Sequence, residues 1–266
     1  MSLRPAARSV SESREARERA ARFVTTFGDE TARRRAAVLC ANDSPASAEA
    51  ALENWAEQAG VFRGEGGVDP LAALPVLGAL ADLRMLDRAL ALRIAEALAR
   101  VQAEDGSFGA VTSDEEERVF ATGRLAAWLS GLRSVRQSVL GAAGDYLASR
   151  FTPDRVGGFA WRPLAAYAAF FANVEHEQRD EILQWCGREL ERGFRAGRFD
   201  AVQTARILVD CNAASIPGAK LAAQELILAL QSEQAADGSW PLLDGGDRDA
   251  RVQHALDGLT GLVRLA

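Results

Sequence analysis

Apolar residues recur three and four positions apart along nearly the whole chain, and Ala, Leu, Arg and Glu dominate. That period puts apolar side chains on one face of an α-helix. No segment alternates apolar and polar residues between turn signals, so no strand is predicted. The pattern predicts six helical hairpins: 9–26 with 30–41, 45–59 with 68–84, 87–102 with 116–132, 135–150 with 162–174, 178–193 with 199–213, and 218–233 with 249–264. Connectors inside the later hairpins are long, as at 103–115 and 234–248; those between hairpins are short, as from Leu132 to Val135 and from Asn173 to Glu177. The long loops therefore gather at one end of the molecule, where sites tend to form.

One unit is written twice. LARVQAEDGSFG (98–109) aligns with LALQSEQAADGSW (228–240), and ATGRLAAWLSGL (121–132) shares a terminal Leu-x-Gly-Leu with VQHALDGLTGL (252–262). Weaker copies, with Gly near an aromatic after a helix, lie at 59–67, 155–161 and 195–200. The glycine anchors recur about every 40 to 50 residues, the period of a helical-hairpin repeat. The last helix ends apolar, which suits packing against the first unit; the first helix is strongly charged, as an outer helix should be. The expected architecture is all-α: an (α/α)6 toroid formed by one domain over 1–266, with 1–44 as an N-terminal hairpin. An open armadillo-like or HEAT-like solenoid is the alternative.

At DGSFG and QAADGSW the sequence resembles the repeat family of terpenoid cyclases and protein prenyltransferase β subunits. Gln102 with Gly106 and Phe108, and Gln234 with Gly238 and Trp240, match its Gln, Gly-x-aromatic pattern, and the resemblance covers 45–266. The physical sense of the motif is structural. Gln bonds backbone groups freed at a helix end, Gly turns the chain, and the ring fills the wedge between hairpins. The resemblance implies a helix-lined lumen and an isoprenoid-type ligand.

Composition narrows the classes. The 266 residues carry a net charge of −6, which argues against a phosphate-backbone binder, so no nucleic-acid partner is expected. Lys220 is the sole lysine, so Schiff-base chemistry has one candidate. His176 and His254 are too few for a histidine-rich metal site, and Cys40, Cys186 and Cys211 make no CxxC pair. The polar, Arg-rich N-terminus has no apolar signal core, and the apolar stretch from Pro163 to Val174 is too short to span a bilayer. These features point to a cytoplasmic protein without an integral membrane segment.

Candidate chemistry falls where the second helix of each hairpin begins. Helix N-termini there would favour an anion. The richest segment is 242–259. Asp247-Arg248-Asp249-Ala250 resembles the Asp-x-Asp-Asp of class II terpene cyclases without its last Asp, which puts Asp249, with Asp247, in the catalytic role. Flanking Arg248 and Arg251 favour the ionised carboxylate, the wrong state for an acid, so a helix cap is the competing role for Asp249. His254 resembles the last zinc-binding His of prenyltransferases, but the Asp-x-Cys partner is missing: Asp210 and Cys211 are adjacent. No metal site is assigned; zinc or magnesium stays open. A third class, the (α/α)6 glycosidase, needs two carboxylates across a cleft, which Asp249 and one of Glu115 to Glu117 would have to supply. The ordinary role of that acidic run is a solvated helix start.

The expected function is therefore a toroid with degenerate catalytic motifs whose lumen mouth binds an apolar, isoprenoid-type molecule with an anionic head. Arg118, Arg162, Arg198 and Arg251 are the expected head-group contacts, because the guanidinium fork suits phosphate. Trp128 and Trp161 are the expected apolar contacts. A non-catalytic scaffold with a protein partner is the competing class.

Overall fold

The computed structural model describes residues 4–64, 67–109, 114–243 and 245–266, with side chains from residue 12 onward. Among these residues every regular element is a helix, and no strand occurs. The helices of the predicted hairpins are α1 (Arg4–Phe27) and α2 (Glu30–Leu39), α3 (Pro45–Gln58) and α4 (Pro70–Asp82), α5 (Ala89–Val101) and α6 (Glu115–Leu129), α7 (Gln137–Arg150) and α9 (Trp161–Asn173), α10 (Arg179–Arg195) and α11 (Ala201–Asp210), and α12 (Ala223–Glu233) and α13 (Arg248–Arg264). Two short elements were not expected. A single 3-10 turn spans Val61–Arg63, and α8 (Pro153–Val156) interrupts the loop before α9.

Successive hairpins pack side by side: α4 lies on α6, α6 on α9, α9 on α11, and α11 on α13. The ends of the chain also meet. Helix α1 packs on α13 and α12, and α13 packs on α2. Arg248 at the start of α13 donates to the Phe27 carbonyl at the end of α1, at 2.8 Å through Nε.

The duplicated motif explains how neighbours join. Gln102 Nε2 donates to Gly106 O within its own turn and to Val139 O on α7, both at 2.9 Å. Gln234 Nε2 donates to Gly238 O and to Ala16 O on α1, both at 3.0 Å. Gly106 (φ +87°) and Gly238 (φ +93°) sit in the left-handed region. A Cβ there would lie 2.0 Å from Ala142 O and 2.2 Å from Arg19 O, so each turn is pressed onto the next hairpin's backbone. Phe108 and Trp240 are buried beneath, and Trp240 Nε1 donates to Leu230 O at 2.8 Å.

Helix α9 holds the centre. Every residue from Pro163 to Phe171 is buried, so its long apolar stretch is core. A Cβ on Gly123 of α6 would come within 2.5 Å of Ala166 O on α9. The small residues here thus serve close helix approach.

Candidate functional site

Five of the second helices start on an aspartate that caps them. Asp29, Asp69, Asp114, Asp200 and Asp247 accept backbone N–H bonds from Ala32, Leu71, Glu117, Gln203 and Ala250 at 2.7 to 2.9 Å. Only α9, preceded by Ala160, lacks such a cap. This corrects two expectations. These helix ends hold their own carboxylates, so they offer little to an external anion. And Asp247, not Asp249, caps α13.

Beyond the caps, a half-open cavity of about 410 Å³ lies between α2, α4, α6, α9, α11 and α13. Leu71, Leu74 and Pro75 of α4, Phe120 and Trp128 of α6, and Trp161 of α9 give it apolar walls. Its polar lining comes from Arg35, Asp82, Arg124, Arg206, Gln253 and Asp257, with Glu117 and Arg162 near the helix starts.

The deep charges form a network with Asp210. Arg206 donates to Asp82 Oδ1 at 2.7 Å, bonds Asp210 one turn along its own helix, and has Asp257 at 3.6 Å. Arg124 pairs with Asp210 Oδ2 at 2.7 Å, and Arg35 reaches Asp82 at 3.5 Å and Gln253 at 3.1 Å. Gln253 in turn donates to Asp257 Oδ1 at 3.0 Å. Three guanidinium and three carboxylate groups thus balance, as buried charge requires.

The balance is uneven from group to group. Burial works against the Arg206 charge, but Asp210, Asp82 and Asp257 outweigh it and hold its pKa well above the usual value. Burial pulls Arg124 down, against Asp210. It pushes Asp257 up, against Arg206. The buried Nε atoms of Arg35, Arg124 and Arg206 have no hydrogen-bond acceptor among the described residues.

The structure gathers only some of the residues singled out in the sequence. Trp128, Trp161 and Arg162 line the cavity. Arg162 lies over the Phe120 ring at 4.6 Å. Arg118 and Arg251 serve the repeat instead: Arg118 bonds Asp105 and Ser107 at 2.6 and 2.7 Å, and Arg251 bonds Asp237 and Ser239, both at 3.2 Å. Arg198 is exposed, its guanidinium 5.2 Å from the Phe159 ring. Asp249 lines a separate cleft with Thr31 and Trp55, while Glu117 lines the main cavity, so that carboxylate pair is divided. Glu115 is held outside by Arg150 and Arg155. His254 is buried beside Asp200, at 3.3 Å.

The network residues were visible in the sequence only as interruptions. Asp82 breaks an apolar run, and Arg124, Arg206 and Asp257 stand among Ala and Leu. A lone charge on an apolar helix face was their only signal, and it does not say which charges meet.

Among the described residues no group of three or more His, Cys, Asp or Glu could hold a metal ion, so the surroundings of His254 do not fit a three-ligand zinc site. No described helix is long and apolar enough to cross a membrane. No protein-family model matches the chain, and neither does any curated protein or solved structure.

Proposed function

We propose that the chain is an (α/α)6 toroid whose lumen binds an apolar molecule with an anionic head, of the isoprenyl diphosphate kind. The toroid reading is supported by one contact made twice. The turn at Gly106 sits on the next hairpin, and the turn at Gly238 sits on the first. If the same joint links hairpin to hairpin and last to first, the array has no free end to cap.

The ligand reading is carried by one observation: an aromatic-walled cavity whose polar lining includes the Arg35, Arg124, Arg162 and Arg206 side chains. Phe120, Trp128 and Trp161 would cover the apolar body. Arg35 and Arg124 would take the head, with Arg162 at the entrance. A small cavity of about 410 Å³ favours short chains over long ones.

Thermal denaturation with geranyl diphosphate, geraniol and inorganic diphosphate tests this. A ligand that binds the folded state raises Tm. Geranyl diphosphate should raise it most, and Trp161→Ala should remove that gain. If no prenyl compound changes Tm, the lumen reading fails and the scaffold class takes its place.

A further inference from the structure

The network that floors the main cavity also closes a second one from the opposite side. Asp82, Trp128 and Arg206 line both. This second cavity, of about 310 Å³, opens where α4, α6, α9 and α11 end. Arg84 and Arg264 line it together with Asp87, Asn173 and Asn212.

Its lining carries Arg84, Arg206 and Arg264 against Asp82, Asp87 and Asp210, but the pairing is uneven. Asp82 and Asp210 are engaged by Arg35, Arg124 and Arg206. Asp87 has Arg88 at 3.8 Å. Arg264 reaches only backbone, Ala81 O at 3.2 Å and Asp82 O at 3.4 Å. Arg84 has no ion-pair partner among the described residues. Two guanidinium groups therefore share one opening with neither in a close ion pair among the described residues, although Asp82 and Asp210 act on Arg264 at longer range.

Arg84 also occupies a costly backbone position. It follows α4 with φ +58°, in a helix-ending turn closed by Arg84 N–H to Ala81 O and Met85 N–H to Leu80 O. Glycine is the usual residue there. Ala41 and Asn212 hold the same place after α2 and α11, so the turn belongs to the architecture. What is particular at position 84 is a long cation at the cavity rim.

We propose that this opening is a binding site for a small phosphate-type oxyanion, held between Arg84 and Arg264. Guanidinium groups present paired N–H donors that match phosphate oxygens. The state of Arg264 agrees: burial, and then the like charge of Arg84, lowers its pKa against Asp82 and Asp210, and an anion between the two arginines would offset their repulsion. This site is independent of the lumen reading, because the shared wall of Asp82, Trp128 and Arg206 separates it from the first cavity.

The test is thermal denaturation of the full chain in sodium phosphate against sodium chloride of equal ionic strength. Phosphate should raise Tm by a few degrees and saturate. Arg84→Gly should melt higher than the parent without phosphate, because glycine relieves the left-handed position, and should lose the phosphate gain. Arg14→Ala, which lines neither cavity, should keep it. A parent that gains nothing over chloride overturns the site. So does an Arg84→Gly protein that keeps the gain, which is what general salting-out would produce, and so does loss of the gain in Arg14→Ala.

Discussion

The Gln234 side-chain amide donates to the carbonyl of Ala16, 218 positions earlier, at 3.0 Å. Gln102 makes the equivalent bond to Val139 at 2.9 Å. One glutamine ties a hairpin to its successor, and the other ties the last hairpin to the first.

That equivalence predicts matched sensitivity. Gly238→Ala and Gly106→Ala each add a Cβ within 2.2 Å or less of a backbone oxygen, at left-handed φ. Each should cost more than about 2 kcal/mol and lower Tm by roughly 5 °C or more. Gly141, inside α7 with open space at its Cβ, should behave oppositely. Alanine there should add up to about 1 kcal/mol. An unchanged Tm for Gly238→Ala would show that the chain ends are not joined at this turn.

Arg206→Met tests the buried network. It removes the cation bonded to both Asp82 and Asp210 and leaves carboxylates buried without it. Such a break costs about 3–5 kcal/mol. Arg14→Ala, which breaks an exposed pair with Glu18, should change stability by less than about 1 kcal/mol. Chemical denaturation of the two variants gives the comparison, and equal losses would contradict the network's role.

Asp257 makes stability depend on pH. Its folded pKa lies above the ordinary carboxylate value because of burial. The folded state therefore holds this proton more tightly than the unfolded state. The cost of ionising Asp257 is absent below its unfolded pKa and is fully present above its folded one. Asp257→Asn removes that cost and can still accept from Gln253. The variant should gain Tm over the parent at pH 7, and the gain should shrink as the pH falls toward 4. A gain that is constant with pH would rule out the titration.

The two aspartates at the start of α13 should separate cleanly. Asp247→Ala removes the oxygen that accepts from Ala250 N at 2.9 Å and should cost about 1 kcal/mol. Asp249 is exposed in the first turn, so Asp249→Asn should fall within about 0.5 kcal/mol of the parent. Melting curves decide, and a reversed order would return the cap to Asp249.

The helices were legible because their signal is local. A 3.6-residue period and the Gly-aromatic turns mark where each hairpin lies, and six pairs could be bounded from residue order alone. The duplicated Gln102 and Gln234 turns were recognisable as scaffold for the same reason, since each turn closes on its own glycine four residues on. The site was much less legible. Trp128, Trp161 and Arg162 were singled out and do line the cavity, yet Arg118 and Arg251 turned out to serve the repeat turns. The polar floor was missed: Arg35, Asp82, Arg124, Arg206 and Asp257 come from five helices, and Arg206 lies 124 positions from the Asp82 it bonds. Periodicity tells which face a residue occupies on its own helix. Which charges meet depends on how the helices are arranged around a shared interior, where low dielectric forces buried charges to pair, and only the tertiary structure decides that.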